Sequence, residues 1–252
     1  MNEWLDDFKM AMGFLTRLPV PHPDGAKPAN FARAYRLFPV VGGLVGLAMG
    51  LLCLALRQVG VPDLAAAALV LGTGALLTGA LHEDGLADVA DGFGGGRDVE
   101  AKLAIMRDSR IGTYGAMALL VGFATKLSAL AAIPDGYVVP SLISAHALAR
   151  GVLPFLSLNL PYARQDGLAR TSGQPDPTTT AIAGALALLI ALLSLSWTEA
   201  LWAAVAAAIS GFVMARLALR QIGGQTGDIL GAAEQVAETA ILVLLAAKLA
   251  SA

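Results

Sequence analysis

The sequence predicts an all-α integral membrane protein, a polytopic bundle of about six to seven transmembrane helices with an N-terminal amphipathic interfacial helix. Three observations carry this reading. Only 14% of the 252 residues are charged, against about 25% in an average soluble chain. Mean hydropathy is +0.68 and 56% of residues are hydrophobic. Apolar runs close to the roughly 20 residues that a bilayer span needs recur at about 38–57, 64–81, 114–133, 137–159, 181–197, 200–219 and 229–249.

The elements follow in order. Trp4, Phe8, Met12 and Leu15 recur at helical spacing, which suits a helix lying on the membrane interface or one packed on the bundle. The acidic start "MNEWLDDFKMAMGFL" lacks the basic region and clean apolar run of a signal peptide. "PDG" (Pro134 to Gly136) is a turn signal between the third and fourth runs. "WTE" (Trp197 to Glu199) leaves room only for a tight hairpin between the fifth and sixth. The abundant Ala and Gly let membrane helices approach closely, since packing replaces the hydrophobic effect there.

Lys and Arg set the orientation. With the amino end inside, inner segments hold Lys9, Arg17, Lys27, Arg33, Arg36, Arg97, Lys102, Arg107, Arg110, Arg164, Arg170 and Arg220. Only Arg57 and Lys248 fall outside, both at span ends. By the positive-inside rule the polar connections at about 82–113, 160–180 and 220–228 face the cytoplasm. The protein reads as a multi-pass inner (plasma) membrane protein whose chemistry faces inward, with the lipid membrane as its setting.

Composition also excludes classes. A net charge of −2 gives no electrostatic footprint for a nucleic acid. The single Cys53 rules out a disulfide framework, and His22, His82 and His146 are too far apart in sequence to suggest a zinc site.

The densest charge is in "LHEDGLADVADGFGGG" (Leu81 to Gly96), directly after an apolar run. Asp84, Asp88 and Asp91 stand at i, i+4 and i+7, one face of a helix. Two unit charges about 4 Å apart repel by roughly 4 kcal/mol at an effective dielectric near 20. The trio therefore needs protons, arginines or a divalent cation. Oxygen-only ligands favour Mg²⁺ or Mn²⁺, with substrate phosphates completing the shell. His82 is a candidate partner of the ligands, or simply an interfacial histidine. A solvated helix end is the competing reading of the whole cluster.

"IMRDSRIGTYG" (Ile105 to Gly115) places Arg107 and Arg110 around Asp108 before a span. Guanidinium forks match phosphate oxygens, although plain span anchors would look the same. "GGQTGDILGAAEQVAE" (Gly223 to Glu238) puts glycines, Gly224 among them, before a helix whose amino end suits a phosphate. Asp228 opens that helix as a catalytic candidate or an N-cap. Glu234 and Glu238 lie one turn apart within an apolar span, where ionisable residues are costly and usually functional. Arg150 sits near the middle of its own span, to pair with a carboxylate or hold an anionic substrate. Lys126 and Arg216 read as snorkelling side chains. Arg164 in "PYARQDGLA" is a substrate contact or an anchor.

Together "FLTRLPVP", "FPVVGGLVG", "TGALHEDGLADVADG", "IMRDSRIGTYG", "YARQDGLA" and "GGQTGDILGAAEQVAE" resemble, in order and over nearly the whole chain, the cobalamin synthase (adenosylcobinamide-GDP ribazoletransferase) family. The resemblance implies a single membrane-embedded catalytic domain over 1–252, with segment 1–36 included. It also implies Mg²⁺ dependence. The activity implied joins adenosylcobinamide-GDP to alpha-ribazole, or its 5′-phosphate, and releases GMP. On that basis Asp84, Asp88 and Asp91 hold metal, and Arg107, Arg110, Arg150, Arg164, Gly224 and Glu238 bind substrate. Asp108, Asp228 and Glu234 are further catalytic candidates, as ligand or base. Assembly into a homo-oligomer is left open. Asp88 and Asp91-Gly92 also resemble the opening of the CDP-alcohol phosphotransferase pattern, but the continuation at Phe93-Gly94 departs from it. A CDP-alcohol phosphotransferase and an ion or solute transporter are the alternatives.

Overall fold

The computed structural model describes residues 3–21, 28–164 and 173–249. His22, Lys27 and Arg170 lie outside them. The described residues are helical throughout, apart from connections and one parallel bridge between Tyr162 and Gln225.

α1 (Glu3–Leu15) is the amphipathic element. Ala11 and Leu15 are buried against the bundle, while Trp4 stays half-exposed. Its buried Asp7 pairs with Arg33 at 3.0 Å and Arg36 at 2.6 Å. Those arginines belong to the short α2 (Pro28–Ala34) and the 3₁₀ turn Tyr35–Leu37. The Arg36 guanidinium also lies 3.7 Å from the Trp4 ring centroid. Of the two expected readings, packing on the bundle is the one observed.

α3 (Phe38–Gln58) and α4 (Asp63–Thr78) follow, then α5 (Leu81–Gly95), α6 (Val99–Ile105), α7 (Thr113–Ala132) and α8 (Asp135–Asn159). α9 (Pro177–Ser194), α10 (Trp197–Ile222) and α11 (Gly227–Leu249) complete the chain. Among the described residues, six helical stretches are long and apolar enough to cross a bilayer: Phe31–Gln58, α7, α8, α9, α10 and α11. A seventh exists only if α4 and α5 count together.

The span expected at 64–81 is therefore corrected. α4 stops at Thr78, and α5 leaves it at 92°. The elbow is made by two consecutive left-handed residues, Gly79 (φ 69) and Ala80 (φ 54). Such backbone cannot continue an α-helix, and for Ala it carries strain. The tight hairpin expected at "WTE" is present, but its turn is Leu195 and Ser196. Trp197 to Glu199 form the first turn of α10, where Ser196 and Glu199 make a reciprocal capping box.

α3, α8 and α11 are the most enclosed helices, whereas α7, α9 and α10 turn most of their surface outward. α3 meets α8 along Gly42, Gly46 and Gly50. A Cβ at Gly50 would stand 2.7 Å from the Val139 Cα, and one at Gly42 would stand 2.8 Å from the Arg150 Cδ. Backbones in a membrane approach this closely only through small residues. At the far end of α3, Arg57 donates to the Leu130 and Ile133 carbonyls and pairs with Asp63 and Asp135.

Candidate active site

The site forms where α5 crosses the start of α11. Gly85 and Gly231 let the two backbones touch: a Cβ at Gly85 would lie 2.8 Å from the Asp228 carbonyl oxygen and 3.2 Å from the Gly231 Cα. On one side of this crossing opens a cavity of about 270 Å³. Asp84, Arg164 and Asp228 line it, with His82 and an apolar wall of Phe14, Phe38 and Leu153. Asp84 is exposed to it, and the half-buried Asp88 lies within electrostatic reach of Asp84, Asp228 and Arg164.

Arg164 reaches Asp228 because the chain after α8 is stitched to the chain before α11. Gln225 N–H donates to the Pro161 carbonyl (2.8 Å) and Ala163 N–H to the Gln225 carbonyl (3.0 Å). The Gln225 side chain donates to the carbonyls of Ser157 and Leu160 at the end of α8. Arg164 Nη2 then donates to Asp228 Oδ2 at 3.0 Å. Thr226 caps α11 through the Ile229 amide (3.2 Å) and donates to the Asp228 carboxylate (3.1 Å). The N-cap is therefore Thr226, which leaves the Asp228 side chain to face the cavity.

Several expectations change. Asp91 does not project into the cavity with Asp84. Its oxygens accept the Gly112 amide (2.7 Å) and the Gly115 amide (2.8 Å), clamping the start of α7 onto α5. A carboxylate is favoured there by the orphan amides and the helix dipole. Arg110 and Asp108 pair with each other at 2.6 Å on the exposed loop before α7. Hydrogen bonds from Arg110 hold the Asp108 carboxyl down at about 2. The Arg110 fork is thus already occupied, and Arg107 is exposed on the same loop. Gly224 runs close to the chain after α8: a Cβ there would collide with the Pro161 carbonyl and stand 3.0 Å from the Ala163 nitrogen. Its missing side chain lets the neighbouring Gln225 bridge to Tyr162.

Beneath the crossing lies a buried polar network that joins four helices. Arg150 pairs with Glu234 at 2.6 Å and Lys126 with Glu238 at 3.1 Å. Lys126 also donates to Gln235 (2.8 Å), and Gln235 to Glu83 (3.3 Å). His146 Nδ1 is 3.1 Å from Glu238, and His82 Nδ1 is 3.4 Å from Glu234. Arg150 and Glu238 are thus enclosed by protein partners instead of facing a substrate. Lys126 is buried, not snorkelling. Arg216 is exposed, with its guanidinium 5.7 Å from the Phe212 ring. Lys126 and His146 are the residues the sequence reading missed. The available signal was complementary: a lysine deep in one span and a glutamate deep in another.

Two places have donors for a cation. Among the described residues, His146, Glu234 and Glu238 offer ligand atoms within 4.8 Å of one another. Arg150 and Lys126 already neutralise both of those carboxylates. The cavity carboxylates are all-oxygen donors beside open space: Asp84 is exposed, and Asp228 engages Arg164 and Thr226 through Oδ2 alone. Mg²⁺ takes one or two protein carboxylates and completes its shell with water and substrate phosphate, so the cavity suits that ion better.

Similar chains include a Bradyrhizobium diazoefficiens protein, 50% identical over 243 residues, covering 96% of this chain and 93% of that one. A Sinorhizobium protein is 43% identical over 258 residues, with 98% of each covered. A Brucella ovis protein is 41% identical over 258 residues, with 96% of each covered. All three carry the name adenosylcobinamide-GDP ribazoletransferase. No solved structure matches. The description cobalamin-5-phosphate synthase matches residues 7–246, and the chain belongs to that family.

Proposed function

We propose that this chain is an adenosylcobinamide-GDP ribazoletransferase, the transferase of the last condensing step of cobalamin assembly. It joins adenosylcobinamide-GDP to alpha-ribazole or its 5′-phosphate. The observation that carries the reading is the convergence of Asp84, Asp228 and Arg164 on one cavity. Full-length likeness to proteins of that name supports it.

The step is a displacement at phosphorus. A ribose hydroxyl oxygen bonds to the phosphorus that bears cobinamide, the bond to the GMP oxygen breaks, and the hydroxyl proton is released. Such transfer is mostly positioning and electrostatic stabilisation. Mg²⁺ held by Asp84 and Asp228, with Asp88 beside them, would neutralise the diphosphate and the charge growing on GMP. Arg164, oriented by Asp228, presents its guanidinium to phosphate oxygens. The apolar wall of Phe14, Phe38 and Leu153 excludes water from the reacting oxygens. About 270 Å³ admits a diphosphate and a sugar, so the corrinoid stays at the mouth. The positive-inside distribution supports a cytoplasmic mouth in the inner membrane.

The test is GMP release from adenosylcobinamide-GDP and alpha-ribazole by purified protein in lipid, with and without Mg²⁺. Mg²⁺-dependent release with a cobalamin product is expected. Folded, lipid-supported protein that releases none would overturn the reading.

A further inference from the structure

The buried network has a relation to the cavity that its own pairs do not explain. His82 lines both the 270 Å³ cavity and a second, inner pocket of about 20 Å³. The inner pocket is walled by Glu83, Lys126, His146, Arg150, Gln235 and Glu238. Along α5, His82 and Glu83 immediately precede Asp84. Along α11, Glu234 and Gln235 lie about two turns beyond Asp228. The glycine contact adjoins both sets: a Cβ at Gly231 would stand 3.3 Å from the His82 Cα and 3.4 Å from the Gly85 Cα.

Gly85 against Gly231 supplies closeness but no preferred angle, because neither residue has a side chain to interlock. Rotation about that contact would change the separation of Asp84 and Asp228. The network braces the two helices against such rotation. His82 meets Glu234 and Glu83 meets Gln235 across the two helices. Arg150 on α8 and Lys126 on α7 hold the α11 side chains in turn. Gly42 of α3 leaves the space that the Arg150 stem fills.

We propose that the Arg150–Glu234 and Lys126–Gln235–Glu83 links position α5 on α11, and so set the spacing of the Asp84 and Asp228 carboxylates for a divalent cation. The inference rests on the reading that this cavity holds the metal. Arg150, Glu234 and Glu238 are then positioning residues, which touch neither metal nor substrate. The 20 Å³ pocket has room for one water and no more. Glu83 Oε2 and His146 Nε2 are buried beside it without a protein partner, and a bridging water would complete the network.

The test measures Mn²⁺ affinity by electron paramagnetic resonance on full-length protein in lipid nanodiscs, without substrates or turnover. Arg150→Lys keeps the charge and loses the fork. Gln235→Met breaks the Lys126 and Glu83 links without changing charge, and serves where Arg150→Lys does not fold. Either should weaken Mn²⁺ binding about tenfold, as loss of an outer-shell partner typically does. Gly50→Ala, on the α3–α8 seam, is the control. It should lower the melting temperature and leave Mn²⁺ affinity within about twofold of wild type, the spread within which context alters such contributions. Wild-type affinity in a folded network variant, or equal weakening by Gly50→Ala, would overturn the inference alone. Absence of Mn²⁺ binding in the wild-type protein would overturn the metal reading, and the inference with it.

Discussion

Gly85 of α5 lies against Asp228 of α11 so closely that a side chain at position 85 would stand 2.8 Å from the Asp228 carbonyl oxygen. That contact brings two remote acidic motifs to one cavity. Gly85→Ala must force the helices apart or bend one of them, because backbone on both sides cannot yield. Overpacking of this kind costs about 1–3 kcal/mol. Activity should fall further than stability, since the carboxylate spacing changes directly. Turnover and thermal unfolding in nanodiscs, measured together, check this. Wild-type turnover in Gly85→Ala would show that the crossing has slack.

The carboxylates separate into two classes. Asp84→Asn and Asp228→Asn should abolish Mg²⁺-dependent GMP release with little loss of stability, because Asp84 faces open space and Asp228 keeps an amide acceptor for Thr226 and Arg164. Asp91→Asn should behave differently. Only one of its two oxygens survives as an acceptor for the Gly112 and Gly115 amides, and an unmet buried donor costs about 1–3 kcal/mol. Its melting temperature should drop while residual turnover stays Mg²⁺-dependent. A stable, inactive Asp91→Asn would restore Asp91 to the metal.

The arginines divide in the same manner. Arg164→Ala should raise the Michaelis constant for adenosylcobinamide-GDP by roughly tenfold or more, the scale of a charge-assisted contact worth about 1.5–3 kcal/mol. Arg110→Ala should change it little, because Arg110 is exposed and its fork is taken by Asp108. Steady-state kinetics of the two variants side by side decide between the sites. The reverse order would move the phosphate contact to the loop before α7.

Much of this was legible in sequence, and the exceptions have physical causes. Periodicity and length located the helices, because membrane spans are long and apolar. The i, i+4, i+7 spacing put Asp84, Asp88 and Asp91 on one helix, as α5 bears out. It did not tell that Asp91 looks past the cavity to the amides of Gly112 and Gly115, because spacing along one helix does not record which neighbouring helix end it meets. The elbow at Gly79 and Ala80 was hidden for a similar reason. Apolarity runs through it unbroken, and only backbone dihedrals mark the break. Lys126 and His146 were missed because partners of buried charges lie on other spans, and a single chain records no inter-helix register.

The elbow itself is testable. Ala80 holds φ 54, a conformation in which Cβ is crowded. Ala80→Gly relieves about 1 kcal/mol of that strain and gives part of it back through a more flexible unfolded chain. Thermal stability should stay equal or rise slightly. Ala80→Val adds a branched side chain to the same backbone and should lower it clearly. Equal melting temperatures for the two variants would mean that the α4–α5 bend is shallower than 92° in the protein in lipid.

Lys126 and Glu238 give the sharpest test of the buried network. Lys126→Met leaves the enclosed Glu238 carboxylate with the His146 ring, 3.1 Å away, as its remaining close side-chain contact. Breaking a buried pair from one side costs about 3–5 kcal/mol, whereas replacing both partners is often close to neutral. The Lys126→Met/Glu238→Gln double variant should therefore recover most of the stability lost by Lys126→Met. Unfolding in nanodiscs with all three variants forms a double-mutant cycle, and a large coupling energy is expected. Additive losses would mean that the two side chains act independently and that the network does not tie α7 to α11 through this pair. Recovery of stability without recovery of turnover would separate the two consequences of one contact: the fold tolerates a neutral pair there, while the site above it needs the charges to hold α11 in register.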